Sequence, residues 1–413
     1  MRRRIARFAV VALCLGVASV CIPVVAGAAA QPALSVRAGV LVEASSSQQL
    51  YAFRADEELP IASTTKLMTA LVTLERVRDL NTVFAQNSYR SASVDSQIGL
   101  EPGERMTVSD LLTAMLVPSA DDAAEDLAYN VGGRSVGRFV AMMNVRAREL
   151  GLTRTHYATP IGLDTPGNYS TASDLVRIAT YLLRHYPFFA RVVELPRARL
   201  RTGSHPRIVV NRNDLVGQVP WITGVKTGHT LGAGYVLVGS GTRGGMTLVS
   251  AVLGTASPAS RDANTMALLD YGFAHFRLAN PIRADEVLAR TTVNYRTGLH
   301  ASLIAAHGVA RVVARGTVLT VRVQAPHRLA GPLRRGAVLG TATVLANGHP
   351  IASTPLLLAR ALSAVSPLTI AAQFLTRGST LVVLVVLLVA AVGLAVLRRE
   401  RARGKESGRL QQA

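Results

Sequence analysis

Two lysines stand out among the charged side chains of this 413-residue chain. Of its 45 basic residues only three are lysines, and only Lys66 and Lys226 lie outside the C-terminal tail that holds Lys405. Arginine stays protonated in proteins, whereas a desolvated lysine can lose its proton near neutral pH. The use of arginine for most other positive charges therefore agrees with lysine chemistry at these two positions, but it agrees equally with two surface lysines retained by chance. The sequences around the two lysines decide between these interpretations.

The first lysine follows a serine by three residues, in Ser63-Thr64-Thr65-Lys66. Residues at i and i+3 share one face of a helix, so the hydroxyl and the amine can meet. Serine is a weak nucleophile until a neighbouring base takes its proton, and a desolvated lysine can be that base. Because the pattern also arises by chance, it indicates a nucleophile only together with other motifs.

Two further motifs follow in the chain, Ser119-Ala120-Asp121 between two predicted helices and Lys226-Thr227-Gly228 before a predicted strand. The set S-x-x-K, S-D-N and K-T-G is the signature of class A β-lactamases and penicillin-binding proteins. Order and spacing agree with that signature, and the two lysines outside the tail occupy its two lysine positions. The sequence therefore predicts a serine nucleophile at Ser63.

The elements that must position these motifs mix strand-like and helical stretches from Ser35 to Tyr271. Alternating or β-rich stretches predict four strands at Val36–Glu43, Gln49–Arg54, Tyr235–Gly239 and Met246–Leu253. Apolar residues at helical spacing predict helices at Ser63–Leu80, Ser109–Val117, Ala123–Val131, Val136–Leu150, Thr171–His185 and Ala263–Phe276. Helices between flanking strands indicate an α/β or α+β fold.

Both ends of the chain carry apolar segments. Residues 2–30 have an arginine-rich start, an apolar stretch and small residues suited to cleavage, which predicts an export signal; an uncleaved anchor is the alternative. Thr380–Leu397 is uncharged and long enough for a short membrane-spanning helix, and it lacks the polar face of a core helix. The basic tail 398–413 then places the C-terminus in the cytoplasm by the positive-inside rule.

The predicted organisation has six parts. After the signal peptide 1–30 come a catalytic domain over 31–279, a small β-rich domain over 280–358, a linker over 359–379, the membrane helix and the tail. The small domain is predicted from short β-rich stretches separated by Gly, Pro and His. Both cysteines, Cys14 and Cys21, lie in the signal segment, so a mature chain has no cysteine chemistry.

Composition argues against several other functions. The net charge of +20 favours an anionic surface, but no zinc-finger, basic-zipper or RNA-binding signature accompanies it, so no nucleic-acid partner is predicted. The nine histidines lack metal-ligand spacing, and no metal site is predicted. The match to G-x-G-x-x-G at 239–244 precedes a predicted strand and not a helix, so we interpret it as a hairpin turn and expect no cofactor.

The chain from about Ser35 to Arg277 resembles the low-molecular-weight penicillin-binding proteins, the D-alanyl-D-alanine carboxypeptidases of serine peptidase family S11. The segments that carry the resemblance are Ile61–Leu71, Pro118–Ala124, Ser170–Leu175, Asn211–Leu215, Gly224–Tyr235 and Leu268–Phe273. The resemblance implies a penicillin-binding-protein or β-lactamase-like domain, an antiparallel sheet flanked by helices with a helical subdomain. Many members carry a small β domain where residues 280–358 stand.

The resemblance also implies roles for individual residues. It makes Ser63 the acylated nucleophile, Lys66 its base and Ser119 a proton relay to the departing D-alanine. Lys226 and Thr227 would hold the substrate carboxylate, and Arg212 and Arg261 would help to bind or orient it. The substrate-binding residues that the resemblance implies are Asp121, Lys226, Thr227, Gly228, His229, Arg212 and Arg261. The backbone N–H groups of Ser63 and His229 would form the oxyanion hole. For the two arginines, an ordinary solvated charge is the alternative interpretation.

One position departs from the family pattern, because Asp121 stands where the family has asparagine. Asparagine can both donate and accept a hydrogen bond, whereas an ionised aspartate can only accept. A carboxylate beside Lys66 would raise the pKa of the lysine that must act as base. Either Asp121 makes the usual lysine contact and activity persists, which we expect, or the enzyme is weakened.

These observations predict a membrane-anchored, extracytoplasmic serine D,D-carboxypeptidase that trims the terminal D-alanine from peptidoglycan stem peptides and is inhibited by β-lactams. A D,D-endopeptidase with the same machinery is the alternative among enzymes. A β-lactamase is less favoured, since no glutamate motif for a deacylating water stands out between Asp121 and Lys226. A degenerate wall-binding or β-lactam-sensing protein is the alternative outside enzymes.

Overall fold

The computed structural model describes residues 31–87, 89, 96–375 and 378–410. The predicted export signal therefore lies outside the described residues. The strands are β1 (Ala38–Glu43), β2 (Gln49–Phe53), β3 (Val83–Ala85), β4 (Arg105–Thr107), β5 (Arg197–Leu200), β6 (Arg207–Val210), β7 (Ile222–Thr230), β8 (Gly234–Arg243), β9 (Met246–Thr255), β10 (Phe276–Ile282), β11 (Val287–Val293), β12 (His300–Ala305), β13 (Val309–Ala314), β14 (Leu319–Gln324), β15 (Arg328–Leu329), β16 (Val338–Ala346) and β17 (His349–Leu358). The helices are α1 (Lys66–Arg76), α2 (Val108–Leu116), α3 (Asp121–Val131), α4 (Val136–Glu149), α5 (Ala172–His185), α6 (Pro187–Val193), α7 (Pro258–His275), α8 (Pro367–Leu375) and α9 (Gly378–Leu410).

An antiparallel sheet in the order β2-β1-β9-β8-β7 forms the centre of the first part of the chain. Successive residues of a strand point to opposite faces, and both faces here are apolar. Val40 and Val42 of β1 belong to the core that the sheet shares with α1 to α6, while Leu41 belongs to the core shared with α7. Helices therefore cover both faces of one antiparallel sheet, as the predicted fold class requires.

The tight turn between β8 and β9 confirms the hairpin predicted at the glycine-rich segment. Arg243 pairs with Met246 across the turn, and Gly244 and Gly245 both have positive φ angles. Glycine adopts this left-handed backbone without the steric cost that a Cβ atom brings. The segment has no helix after it, so it does not form a phosphate-binding loop.

The helix predicted over Ser63–Leu80 begins and ends differently in the structure. Residues Ala62–Thr65 form a 3-10 turn, and α1 follows from Lys66 to Arg76. The chain becomes extended at Val77, and Asn81 then bonds the side chain of Asp79 in a local turn. Short polar side chains of this kind compete with helical backbone bonds, which explains the earlier end.

Every residue of α1 from Lys66 to Thr73 is buried, so this helix is the centre of the helical layer. A loop over residues 159–168 closes against it, because the Thr69 hydroxyl donates to the Pro160 carbonyl at 2.6 Å and the Asn168 amide donates to Thr65 at 3.3 Å. The loop passes so close to the 3-10 turn at Gly162 that a Cβ atom there would lie 1.9 Å from the Ala62 carbonyl oxygen. Only glycine fits at this position.

The β-rich part of the chain begins earlier than predicted. The predicted boundary between residues 279 and 280 falls inside β10, which follows α7 directly and pairs with β13. The other strands form a sheet in the order β14-β16-β17-β12-β11-β15 around its own apolar core, which includes Leu303, Val344 and Leu356.

The segment predicted as a linker contains α8. Its first residue is Pro367, and the Ser366 hydroxyl accepts from the Thr369 backbone N–H at 3.2 Å. Proline is favoured in the first helical turn and serine at the cap, so the local sequence begins a helix here. Within the described residues one helical segment, Gly378–Arg401 of α9, is apolar and long enough to cross a membrane, and its apolar residues are not buried against the protein.

We expect Gly162→Ala to destabilise the protein more than Gly103→Ala. Both glycines have positive φ angles, +93° and +80°, but only a Cβ at 162 meets other atoms; at 103 none lies within 4 Å. Gly103→Ala should cost about 1 kcal/mol from the backbone alone, and Gly162→Ala several kcal/mol more because the loop must move. Urea unfolding measures both; equal midpoints would contradict the close packing.

Candidate active site

The hydroxyl of Ser63 and the amine of Lys66 meet at the start of α1. The Lys66 Nζ atom donates to Ser63 Oγ at 2.8 Å. The 3-10 turn presents Ser63 to a cavity, whereas the Lys66 side chain is 0% exposed. A hydroxyl that is open to solvent and backed by a buried amine is the arrangement that serine nucleophiles with a lysine base require.

The Lys66 amine has two further oxygen partners from distant parts of the chain. It donates to Asp121 Oδ1 at 2.5 Å and to the Ile161 carbonyl at 3.1 Å. The structure thus places the predicted Asp121 directly beside Lys66. Since a buried amine must be hydrogen-bonded, these contacts fix the direction from which Nζ reaches Ser63.

The first residues of α3 hold a neighbouring segment against the site. Asp121 Oδ2 accepts from the Ser96 backbone N–H at 3.2 Å, and Asp122 accepts from the backbone N–H groups of Ile98 and Leu100. Carboxylates at a helix N-terminus are favoured by the helix dipole. Ser96 and Ile98 line the cavity, so the acidic start of α3 positions one of its walls.

The second lysine faces the second serine. Lys226 Nζ donates to Ser119 Oγ at 2.8 Å and to the Thr227 carbonyl at 2.9 Å. Burial lowers the pKa of Lys226 well below its usual value, and the nearby charges of Lys66, Arg212 and Arg261 lower it further, while Asp121 opposes them. Ser119 has a φ of 69°, a left-handed backbone that a non-glycine residue adopts only when its surroundings enforce it.

Strand β7 lies against the 3-10 turn at Gly228. A Cβ atom there would lie 3.0 Å from the backbone nitrogen of Ser63, so glycine leaves room beside that N–H group. The next residue, His229, is exposed, and its ring stacks on Tyr235 with centroids 4.0 Å apart. Strand β7 thus runs beside the Ser63 backbone at the cavity, and the oxyanion hole of the Ser63 and His229 N–H groups stays a prediction.

The cavity in front of these groups has a volume of about 830 Å³, and both predicted arginines line it. Arg261 is buried and paired with Asp262 at 2.8 Å and Asp214 at 3.4 Å. Arg212 is exposed, and its Nε donates to the Pro118 carbonyl at 3.4 Å. Arg212 therefore has the more available charge for an anionic group, whereas Arg261 is held by carboxylates.

Three contributions to the site were not predicted from the sequence. They are the Ile161 carbonyl bonded to Lys66, the Gly162 close approach and the Ser96 N–H bonded to Asp121. All three are backbone features, so no side-chain type marks them. The local signal in the sequence is limited to Pro160 and Gly162, two turn-forming residue types on either side of Ile161. Within the described residues no cluster of three or more His, Cys, Asp or Glu side chains could hold a metal ion.

The site has a serine hydroxyl bonded to a buried lysine, a second serine–lysine pair, and a strand that approaches the serine at a glycine. These features, on an antiparallel sheet between helices, are those of the active-site serine penicillin-binding proteins. The family model of D-alanyl-D-alanine carboxypeptidases, Peptidase S11, matches residues 25–257. The chain belongs to this D-alanyl-D-alanine carboxypeptidase family.

Sequence similarity to individual relatives extends beyond the residues that the family model matches. The chain is 32% identical to the D-alanyl-D-alanine carboxypeptidase DacC of Escherichia coli over 79% of this chain and 84% of the relative. It is 29% identical to DacF of Bacillus subtilis over 77% of this chain and 84% of that one. These alignments extend past the 56% that the family model spans (233 of 413 residues), so the relatives share more than the catalytic residues.

Solved structures show the same architecture. Penicillin binding protein 5 from Haemophilus influenzae matches 81% of this chain and all of its own, with a TM-score of 0.68 and 28% identity. The Streptomyces K15 DD-transpeptidase matches 59% of this chain and 99% of its own, with a TM-score of 0.56 and 32% identity. The fold predicted from the sequence is confirmed.

We expect the two buried lysines to differ in their tolerance of arginine. Lys66→Arg should reduce acylation by penicillin by about 10²–10⁴-fold, because a guanidinium stays protonated and cannot take the serine proton. Lys226→Arg keeps a positive charge at the cavity and should retain a measurable part of the rate. Stopped-flow acylation measures both variants, with Lys405→Arg in the tail as control. Parental acylation by Lys66→Arg would exclude lysine as the base.

Asp121→Asn should move the acid limb of the acylation pH profile to lower pH. A carboxylate next to an amine favours the ammonium form, so its removal should lower the pH at which Lys66 becomes neutral. The maximal rate should be unchanged or higher. Asp122→Asn is the matched control, because Asp122 bonds backbone N–H groups and not Lys66. Superimposable profiles for Asp121→Asn and the parent would show that this carboxylate does not set the base.

Proposed function

We propose that this protein is a serine D-alanyl-D-alanine carboxypeptidase that removes the terminal D-alanine from peptidoglycan stem peptides. The observation that carries the proposal is the pair of serine–lysine contacts at 2.8 Å, Ser63 with Lys66 and Ser119 with Lys226, beside one cavity. Membership of the D-alanyl-D-alanine carboxypeptidase family and the names of its relatives support it.

In the first half of the reaction, Ser63 Oγ attacks the carbonyl carbon of the peptide bond between the two D-alanines, and its proton passes to Lys66. The developing oxyanion accepts hydrogen bonds from the backbone N–H groups of Ser63 and His229. The C–N bond then breaks, the leaving amine takes a proton through Ser119, and Ser63 carries the remaining peptide as an ester. Water hydrolyses this ester and restores the serine.

The cations at the cavity support recognition of a terminal carboxylate. Lys226 and Thr227 would hold this carboxylate, and Arg212 lies nearby. Arg261, which is itself held by Asp214 and Asp262, would help to orient the carboxylate. Burial lowers the pKa of Lys226, and an incoming carboxylate would oppose this effect, because an opposite charge favours the ammonium form. A substrate with a free C-terminal carboxylate therefore fits the site better than an amide. β-Lactams would acylate Ser63 in the same way.

We further propose that residues 2–30 direct export of the chain and that α9 holds it on the outer face of the cell membrane. The apolar, unburied helix over Gly378–Arg401 supports the anchor. The basic residues after the apolar stretch favour a cytoplasmic C-terminus, which leaves the active site outside the cell. In this arrangement the catalytic domain ends with α7, and the β domain that begins with β10 connects it to the membrane segment.

The proposed activity predicts release of free D-alanine from a pentapeptide that ends in D-Ala-D-Ala, measured with the full-length protein in detergent. Ser63→Ala should abolish both this release and the penicilloyl adduct seen by mass spectrometry on the peptide that contains Ser63. Amidation of the substrate carboxylate should raise KM more than it lowers kcat, since it removes a binding contact.

Two alternatives give different results in the same assay. An endopeptidase would cleave cross-linked peptide dimers faster than the pentapeptide. A transpeptidase, the activity that the name of the Streptomyces relative states, would release D-alanine faster when an amine acceptor is added. Absence of both D-alanine release and a penicilloyl adduct would contradict an enzymatic function altogether.

A further inference from the structure

The β-rich part of the chain has an extreme charge composition. No Asp or Glu occurs from residue 287 to residue 399. The stretch 287–379 contains ten arginines and no lysine. Protein surfaces normally mix both signs, so an uncompensated field of one sign indicates an anionic partner.

Strand pairing shows which parts of this stretch lie together. Strand β17 runs toward the membrane helix, and two strands lie beside its last residues: β16, through the pair Val338–Leu357, and β12, through the pair Leu303–Leu358. The end of β11 lies beside the start of β12, and β15 lies beside the end of β11, through the pairs Thr292–His300 and Val293–Leu329. Three connecting segments therefore meet at one end of the sheet: residues 294–299, 325–337 and 359–366. We call this set the basic end.

Half of the arginines in the stretch belong to the basic end, namely Arg296, Arg328, Arg334, Arg335 and Arg360. All but Arg296 are exposed, and Arg296 is half-buried. The nearest acidic residues before the stretch, Asp285 and Glu286, stand before the start of β11 and so at the opposite end of the sheet. The positive charge is thus concentrated at the end from which the chain leaves for α8 and α9.

Direct contacts tie the basic end to the segment that leads to the membrane helix. Arg296 donates to the Ser363 hydroxyl at 2.6 Å, and Leu333 and Leu362 exchange two backbone hydrogen bonds at 2.9 and 2.8 Å. Only residues 364–366 separate these contacts from α8. A helix of nine residues is about 13 Å long, so the basic end stays near the start of α9.

Helix α8 shows what surface lies there. It exposes Leu368 and Phe374 by 83% and 57%, although neither has a described protein surface to cover it. Apolar side chains beside a membrane-spanning helix and beside arginines match the composition of the membrane interface, where rings and aliphatic chains enter the headgroup region.

We propose that the basic end binds the anionic headgroups on the outer face of the membrane that α9 crosses, so that the β domain contacts the bilayer directly. The proposal rests on the membrane attachment proposed above. An arginine close to an anionic lipid surface strengthens binding by about five-fold, and the effect decays over a Debye length of about 8 Å at physiological salt. An anionic wall polymer would offer similar charges, but the contacts with Ser363 and Leu362 favour the nearer lipid surface.

The test uses the full chain with Cys14 and Cys21 replaced by alanine and an Ala330→Cys substitution in the basic end. A fluorophore on this cysteine is quenched by nitroxide lipids labelled at the headgroup, in vesicles of phosphatidylcholine with or without phosphatidylglycerol. We expect stronger quenching with phosphatidylglycerol and loss of the difference at high salt. Arg334→Glu/Arg335→Glu should lower the ratio of bound to unbound domain by about 25-fold or more.

The matched control is Arg311→Glu/Arg322→Glu, which changes the net charge equally but on strands β13 and β14. It should keep the quenching difference. Penicillin acylation reports the fold of the catalytic domain of every variant, and thermal unfolding followed by circular dichroism reports the fold of the β domain. Equal quenching in the two lipids, or equal loss in both double variants, would overturn the proposal. A change in the fluorescence of the label with soluble poly(glycerol phosphate) but not with anionic lipid would overturn the proposal in favour of a wall polymer. Alkaline extraction separately shows whether α9 is inserted, so a failed anchor is distinguished from a failed surface contact.

Discussion

The site depends on the burial of one amine. Lys66 is removed from water, and a buried amine is tolerated only where oxygen atoms accept its hydrogen bonds. Among its partners, Ser63, Asp121 and Ile161 belong to the 3-10 turn, helix α3 and the loop over 159–168. One nitrogen atom therefore fixes three parts of the chain relative to each other, and the nucleophile is positioned by the same contacts that satisfy the amine.

The second buried lysine lies in a different electrostatic environment. Lys66 has a carboxylate at 2.5 Å, whereas burial and three neighbouring cations lower the pKa of Lys226. The cations around Lys226 thus outweigh the carboxylate of Asp121 that opposes them, so an incoming substrate carboxylate would meet a net positive environment. Because the favourable charge arrives with the substrate, binding and the correct protonation of Lys226 are coupled. Asp121 acts on both lysines, so its replacement of the family's asparagine affects the base and the carboxylate site together.

The sequence predicted the side chains of the site better than its backbone. Ser63, Lys66, Ser119 and Lys226 were found because each motif is short and side-chain chemistry restricts the residue type. The Ile161 carbonyl and the space at Gly162 depend on how a loop far along the chain folds back on α1, which local pattern does not encode. Alternation predicted β1, β2, β8 and β9, but it missed β7, the strand that carries Lys226 and Gly228. Helix α8 was also missed, within the segment predicted as a linker.

The two concentrations of positive charge in this protein differ in how strongly salt affects them. The lysines at the cavity are buried, so mobile ions screen them little, whereas the arginines of the basic end are mostly exposed and within reach of screening. Salt would therefore weaken the proposed contact between the β domain and an anionic surface long before it alters the pair of Lys66 and Asp121.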